Sequence, residues 1–70
     1  MTDISAPAIQ GNTVVVGDNE GFVHWLSLSE GKFAARQRLG KKPIEGAPVV
    51  SGDVVYVEDV KGRIGAYRVH

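Results

Sequence analysis

The sequence predicts an all-β fold made of antiparallel four-stranded meanders, and three observations support it. Residues 5–29 and 46–70 follow one pattern at an offset of 41 positions, and seven of the 25 aligned pairs are identical. Valine-rich runs alternate with glycine-containing turns, which is typical of short strands. No window of about 11 residues carries a helical apolar period. Because a repeat of about 40 residues with several short strands is typical of β-propeller blades, the sequence predicts about one and three-quarter blades.

Turn residues set the bounds of seven predicted strands. The first strand opens with Pro7, whose missing N–H is tolerated near the end of a ladder. Gly11-Asn12 forms a two-residue turn that accepts positive φ, and Gly52-Asp53 repeats it. Gly21 and Gly62 each follow an Asp-x-x sequence and are predicted to have positive φ, so replacing either with alanine is expected to cost about 1 kcal/mol or more. The predicted strands cover residues 6–9, 13–18, 22–28, 32–39, 47–50, 54–58 and 63–69.

The repeat divides the chain into three parts. Residues 1–4 are an N-terminal extension, residues 5–42 a first blade of four strands, and residues 43–70 a second, incomplete blade of three strands. The valine run at 14–16 does not alternate between polar and apolar positions, which indicates a strand covered on both faces, as in stacked blades. Propellers need about four to eight blades to close a ring. We therefore expect that the chain belongs to a larger protein or assembles as a homo-oligomer, with a strand-exchanged dimer as one route.

Composition narrows the classes of function. Eight lysine and arginine residues balance eight acidic ones, so the formal net charge is zero and no nucleic-acid partner is expected. The local basic cluster of Arg36, Arg38, Lys41 and Lys42 is interpreted as a solvated strand edge and loop. The absence of cysteine excludes disulfides and thiolate chemistry. No signal peptide and no membrane-length apolar run is recognisable, so any targeting signal or lipid anchor is expected to lie outside this chain.

Two aspartates, Asp18 and Asp59, occupy the same place in the two repeats, and two interpretations apply to them. They could form an acid/base or metal-ligating pair. We favour the simpler role, in which each carboxylate accepts backbone N–H bonds within its own turn. The segment Asp18-Asn19-Glu20-Gly21 lacks the alternating oxygen ligands and the distal glutamate of a calcium loop.

Other candidate chemistry is sparse. His24 lies within a predicted strand and His70 ends the chain, and neither has a second ligand at zinc-binding spacing, so both are interpreted as core or edge residues. The serines have no nucleophile-elbow context. They are Ser5, Ser27, Ser29 and Ser51. The sequence therefore predicts no catalytic, cofactor-binding or metal-binding residues.

Two aromatic residues, Trp25 and Tyr67, lie in the third strands of their repeats, in adjacent alignment columns. They could mark a hot spot for a protein partner. We favour the interpretation that they supply bulk to a core between two blades.

A resemblance to a known family covers nearly all of residues 5–69. The run Ala-Pro-x-x-x-Gly-x-x-Val-x-Val-x-Asp-x-x-Gly occurs at 6–21 and again at 47–62. It resembles the blade repeat of the pyrroloquinoline-quinone-type propellers. Residues 16–31, which begin Val-Gly-Asp-Asn-Glu-Gly-Phe-Val-His-Trp, resemble more specifically the BamB family of propeller lipoproteins in the outer-membrane barrel assembly machinery.

That resemblance implies a non-enzymatic scaffold, formed by the last full blade and an incomplete final blade of an eight-bladed propeller at the periplasmic face of the outer membrane. It implies the periplasmic domains of the barrel-inserting subunit as partners and no cofactor. Partner-binding residues stay unknown, because the contact surface of that family lies in other blades. Two alternatives remain open: part of a quinone-dependent dehydrogenase of the same superfamily, and a self-assembling propeller-fragment module, natural or engineered, without activity of its own.

Overall fold

Seven strands form two antiparallel sheets in the computed structural model, which describes residues 4–68. Sheet 1 has the order β1-β2-β3-β4 and sheet 2 the order β5-β6-β7, and no helix occurs in the described part of the chain. All seven predicted strands and the all-β fold class are thereby confirmed. The strands are β1 (Ala8–Gln10), β2 (Thr13–Gly17), β3 (Phe22–Ser27), β4 (Lys32–Arg38), β5 (Val49–Ser51), β6 (Val54–Glu58) and β7 (Ile64–Arg68).

Strand bounds differ from the prediction mainly where each repeat begins. The strands β1 and β5 start at Ala8 and Val49, two residues later than predicted. Pro7 and Pro48 come directly before them and have no N–H to donate, so the regular ladders begin after each proline. Of the predicted extension only Ile4 is described, and it forms an isolated bridge to Asp18. The predicted end of the last strand at position 69, and His70, lie outside the described residues.

Glycine occupies each tight turn, as predicted. Gly21 and Gly62 have φ values of 89° and 86°, which confirms the prediction of positive φ at both. Gly11 and Gly52 have φ values of 57° and 60° in the turns that join β1 to β2 and β5 to β6. These turns repeat one geometry in both sheets, so the sequence repeat is also a structural repeat.

The two sheets pack face to face over one core. Sheet 1 contributes Val15, Val23 and Trp25, each 0% exposed. Sheet 2 contributes Val55 and Val57. We call these two facing surfaces the inner faces, and the opposite surfaces the outer faces. Because side chains alternate along a strand, the residues next to these in sequence lie on the outer faces.

A connector between the sheets, residues 39–46, completes the core. Ile44 is 2% exposed, and its side chain occupies the space beside Gly17, where a Cβ atom would lie 2.3 Å from the Ile44 Cγ2 atom. The Ile44 amide donates to the Asp18 carbonyl at 2.9 Å, and the Val60 amide donates to the Pro43 carbonyl at 2.9 Å. The connector is therefore fixed to both sheets, a role that the sequence did not indicate.

Candidate functional site

The two repeated aspartates each close their own turn. Asp18 is 3% exposed, and its Oδ1 atom accepts hydrogen bonds at 2.9 Å from the amides of Glu20 and Phe22. The Oδ1 atom of Asp59 accepts equivalent bonds from the amides of Lys61 and Arg63 at 2.9 and 3.0 Å. The carboxylates therefore hold separate turns, in agreement with the turn-capping interpretation, and are not brought together as a pair.

Asp18 has one partner that Asp59 lacks. The Nε2 atom of His24 lies 2.7 Å from the Asp18 Oδ2 atom, and the two side chains are 19% and 4% exposed. The repeat places Gly65 where sheet 1 has His24, so sheet 2 has no imidazole at this position. Burial of the Asp18 carboxyl disfavours its charge, but the His24 hydrogen bond and the two amide donors outweigh burial and hold the pKa of Asp18 below its ordinary value.

The antiparallel register brings these two side chains together. Val16 pairs with His24 across β2 and β3, so Asp18 follows the end of β2 beside the outer face where His24 lies. A carboxylate–imidazole pair can hold a proton and orient a ring, but nucleophilic catalysis also needs a nucleophile in reach. The Ser5 hydroxyl instead accepts the Gly17 amide at 2.9 Å and donates to the Ala6 carbonyl.

The remaining polar candidates have structural contacts. The hydroxyls of Ser27 and Ser29 lie 3.2 Å apart in the β3–β4 turn. Within residues 4–68, no group of three histidine or acidic side chains is placed to hold a metal ion. The same range contains no helix of the length and apolar character that crossing a membrane requires.

Trp25 and Tyr67 meet across the core. Their rings are 5.7 Å apart at an interplanar angle of 79°, an edge-to-face arrangement. Burial raises the pKa of the Tyr67 hydroxyl. The Trp25 Nε1 atom is buried without a hydrogen-bond acceptor among the described residues. This geometry agrees with the interpretation that both aromatics fill the core between the sheets.

The basic cluster divides into two parts. Arg36 and Arg38 lie on β4, an edge strand that is exposed along its whole length. Their guanidinium carbons stack on the Phe22 ring at 4.7 and 4.6 Å from its centroid. Cation–π contacts of this kind order both side chains against sheet 1, which the charge pattern alone did not indicate. A second part, on the connector, comprises Lys41 and Lys42.

The outer faces of both sheets carry exposed apolar side chains, among them Ile9, Phe33, Tyr56 and Ile64. A hollow of about 540 Å³ lies on the outer face of sheet 1, among side chains that include Val14, His24 and Leu26. A hollow of about 410 Å³ on the outer face of sheet 2 includes Tyr56 and Ile64. Exposed apolar side chains grouped around a hollow are suited to contact with another protein surface. We therefore take the two outer faces as the candidate functional site.

Comparisons with known sequences point to one group of proteins. No protein-family model matches the chain. The outer membrane protein assembly factor BamB of Xanthomonas campestris pv. campestris is 42% identical over 65 residues, which are 93% of this chain and 16% of that protein. BamB of Pseudomonas aeruginosa is 41% identical over 66 residues, 94% of this chain and 17% of that protein. BamB of Escherichia coli is 26% identical over 61 residues, 87% of this chain and 16% of that protein. The chain spans about one sixth of the length of these relatives.

Comparisons with solved structures support the fold. The computationally designed Ika4 protein, which is propeller-like, superposes with a TM-score of 0.84 at 18% identity over 96% of this chain and 41% of that one. The designed Ika8 protein gives a TM-score of 0.82 at 18% identity over 94% of this chain and 20% of that one. The same two-sheet unit therefore occurs within chains of different length.

Proposed function

We propose, starting from the BamB-like sequence of this chain, that it is a non-enzymatic scaffold module of a propeller that assists the assembly of outer membrane proteins. The observation that carries the proposal is the 42% identity to BamB of Xanthomonas campestris pv. campestris over 93% of the chain. The family resemblance adds a location at the periplasmic face of the outer membrane. It also adds a partner, the periplasmic domains of the barrel-inserting subunit.

The geometry supports a structural role over a catalytic one. The most buried polar side chains, Ser5, Asp18 and Asp59, accept hydrogen bonds from backbone amides of this chain, and Asp18 also pairs with His24. These contacts fix turns and strand ends, and the outer faces are formed mainly by apolar side chains. Surfaces of that kind are suited to packing against other protein surfaces.

A segment exchange tests the scaffold role. The 66-residue stretch of Pseudomonas aeruginosa BamB that matches this chain is replaced by the corresponding residues of the chain. The chimera is then expressed in cells that lack their own BamB, and folded outer membrane proteins are quantified. We expect recovery to the level given by the unmodified relative, because the replaced unit supplies the same strands, turns and faces.

Two controls make the result interpretable. A chimera with Ile64→Lys on the outer face of sheet 2 should lose function, whereas one with Ser29→Lys in an exposed turn should retain it. A chimera that is purified in folded form, binds no barrel-inserting subunit and gives no recovery would contradict the proposal.

The dehydrogenase alternative has its own test. Titration of the 70-residue chain with pyrroloquinoline quinone should give no spectral change and no thermal shift. A dissociation constant in the micromolar range would count against the non-enzymatic role.

A second proposal concerns the isolated chain, which we propose to self-associate. The specific observation in its favour is that each sheet leaves an apolar outer face uncovered. In addition, β7 lies at the edge of the three-stranded sheet 2, where a further strand can pair. Sedimentation of the purified chain at micromolar concentration should give a mass above the 7.5 kDa of one copy.

A further inference from the structure

The contact between the two sheets within one chain provides a template for a contact between chains. On sheet 1 the inner face is built from positions 15, 17, 23 and 25, and on sheet 2 from positions 50, 55, 57 and 67. When the two repeats are aligned, the two sets occupy different positions. Sheet 1 turns one side of the repeated unit towards the core, and sheet 2 turns the opposite side towards it. Each outer face is therefore the repeat equivalent of the other sheet's inner face.

The equivalence can be followed residue by residue at the offset of 41. Val15 and Val23 on the inner face of sheet 1 correspond to Tyr56 and Ile64. These two are 43% and 67% exposed on the outer face of sheet 2. In the other direction, the partly buried Val50 packs on the core, and its equivalent on sheet 1 is Ile9, which is 60% exposed.

Further equivalents complete the outer face of sheet 1. Val55, Val57 and Tyr67 in the core correspond to Val14, Val16 and Leu26 on that face, of which Val14 and Leu26 are half-buried and Val16 is buried within one copy. Both outer faces therefore carry apolar side chains at the positions that form the internal contact.

We propose that the outer face of sheet 1 in one copy packs on the outer face of sheet 2 in a second copy, and so repeats the internal sheet-to-sheet contact between chains. The inference rests on the proposal that the chain self-associates, and it adds which surfaces meet and in which direction. Because two different surfaces meet, the contact is head to tail and continues from copy to copy until a ring closes.

Side-chain volume differs between the two contacts. In the internal contact a large pair, Trp25 and Tyr67, meets at the centre. The equivalent positions in the contact between chains hold Ala66 and Leu26. Both are smaller than their counterparts, whereas the positions of Gly17 and Gly65 are held by the larger Glu58 and His24, so the contact between chains packs a different set of side chains.

Both outer faces carry charged side chains. The positions of Gly17 and Gly65 in the internal contact are held by Glu58 and His24 in the contact between chains. Arg36 lies beside His24 in the hollow of sheet 1, and Glu45 lies with Glu58 in the hollow of sheet 2. The hollow of sheet 1 also includes the acidic residues Asp18 and Glu20, and Asp18 already pairs with the imidazole. The carboxylates of sheet 2 therefore approach a face of mixed charge, in which Arg36 is the positively charged partner.

The direction of stacking follows from one hydrogen bond. The Gln10 side chain in the β1–β2 hairpin donates to the Gly52 carbonyl in the β5–β6 turn at 3.2 Å. Equivalent turns therefore lie side by side, and the sheets stack in the same sense.

Complementary variants of the full 70-residue chain test the proposal by sedimentation. Ile9→Lys places a charge in the apolar outer face of sheet 1, and Ile64→Lys places one in the outer face of sheet 2, so each variant should lose one of the two contact surfaces. Both residues are exposed in a single copy, so folding is retained, which circular dichroism checks. Ser29→Lys, in an exposed turn outside both faces, is the control and should sediment as the unmodified chain does.

The expected result is specific to a head-to-tail contact. Each variant alone should sediment as a single copy, because each has lost one of the two surfaces. An equimolar mixture should form a species of two copies and stop there, because the mixture retains one intact surface of each kind. The unmodified chain should form larger, closed species.

Two outcomes would overturn the inference. Association of either variant alone to the same extent as the unmodified chain would mean that other surfaces are used, such as two like faces or the edge of β7, although self-association itself would stand. An unmodified chain that sediments as a single copy at every concentration would refute both self-association and this contact. The proposed role in outer membrane protein assembly is independent of either result.

Discussion

Replacing Gly21 and Gly62 separately by alanine should have unequal effects, although the two glycines occupy equivalent turns. Both have positive φ, so an alanine at either position costs about 1 kcal/mol through strain of the backbone. The surroundings differ. A Cβ atom on Gly21 would lie 2.2 Å from the Gly40 carbonyl oxygen and 3.1 Å from that of Lys42, whereas a Cβ atom on Gly62 would lie 4.0 Å from its nearest neighbour.

The clash at Gly21 is with backbone, so it cannot be relieved by rotation of a side chain. The connector would have to move away from sheet 1, and the hydrogen bond from the Leu39 amide to the Gly21 carbonyl, 2.8 Å long, would be weakened. A forced backbone shift of this kind costs about 1–3 kcal/mol, and a lost hydrogen bond about 1 kcal/mol. We therefore expect about 3 kcal/mol or more for Gly21→Ala and about 1 kcal/mol for Gly62→Ala.

Urea denaturation at one fixed chain concentration measures the difference. The fixed concentration matters because self-association would make the free energy of unfolding depend on it. In thermal denaturation of a domain of this size, the same difference in stability corresponds to a shift in Tm of about 4–8 °C for each kcal/mol. Equal denaturation midpoints for the two variants would refute the reasoning, because they would mean that the connector does not press on Gly21.

Three further expectations concern the core and the turns. Gly17→Ala should destabilise the chain by about 1–3 kcal/mol in urea denaturation, because the added methyl group overlaps the connector isoleucine, whereas Gly46→Ala, in open space, should leave the midpoint nearly unchanged. Asp18→Asn should cost about 1–2 kcal/mol more than Asp59→Asn at neutral pH. Because the folded pKa of Asp18 is lowered, this stabilisation is present above the ordinary carboxyl pKa of about 3.9 and is lost as the pH falls through the lower folded value. A stability difference between the two asparagine variants that persists in strong acid would contradict this expectation. The pKa of Tyr67 is raised, so its contribution to stability is present below the ordinary tyrosine pKa of about 10 and is lost as the pH rises through the folded value. Tyr67→Phe should therefore lose less stability at alkaline pH than the unmodified chain, as measured by denaturation midpoints against pH.

Local sequence signals were sufficient for the strands and turns. Glycines at 21 and 62 follow aspartates at the same spacing, and the turn they form depends on φ and on two short-range hydrogen bonds within one turn. Such geometry is encoded by residues near one another in sequence, so the repeat pattern predicts it. The prolines at 7 and 48 shifted the strand starts for an equally local reason, the absence of an N–H.

Contacts across strands and through the connector could not be predicted in the same way. His24 is six residues from Asp18, and only the register of β2 against β3 brings the two side chains to 2.7 Å. Ile44 fills the space beside Gly17, 27 positions earlier, which depends on how the connector folds back. The sequence did contain a signal for the contact of Ile44 with Gly17. Equivalent positions of the two repeats hold glycine at 17 and glutamate at 58, and a glycine within a strand in only one repeat indicates that another part of the chain packs closely there.

The single tryptophan has a consequence for spectroscopy. Trp25 is fully buried at the contact between the two sheets, and its indole forms an edge-to-face pair with a tyrosine from the opposite sheet. Its fluorescence therefore reports on the separation of the sheets, and a shift of its emission to longer wavelength marks the entry of water between them. Association through the outer faces leaves the indole in the same surroundings, so emission and sedimentation would follow two different contacts of one chain without any added label.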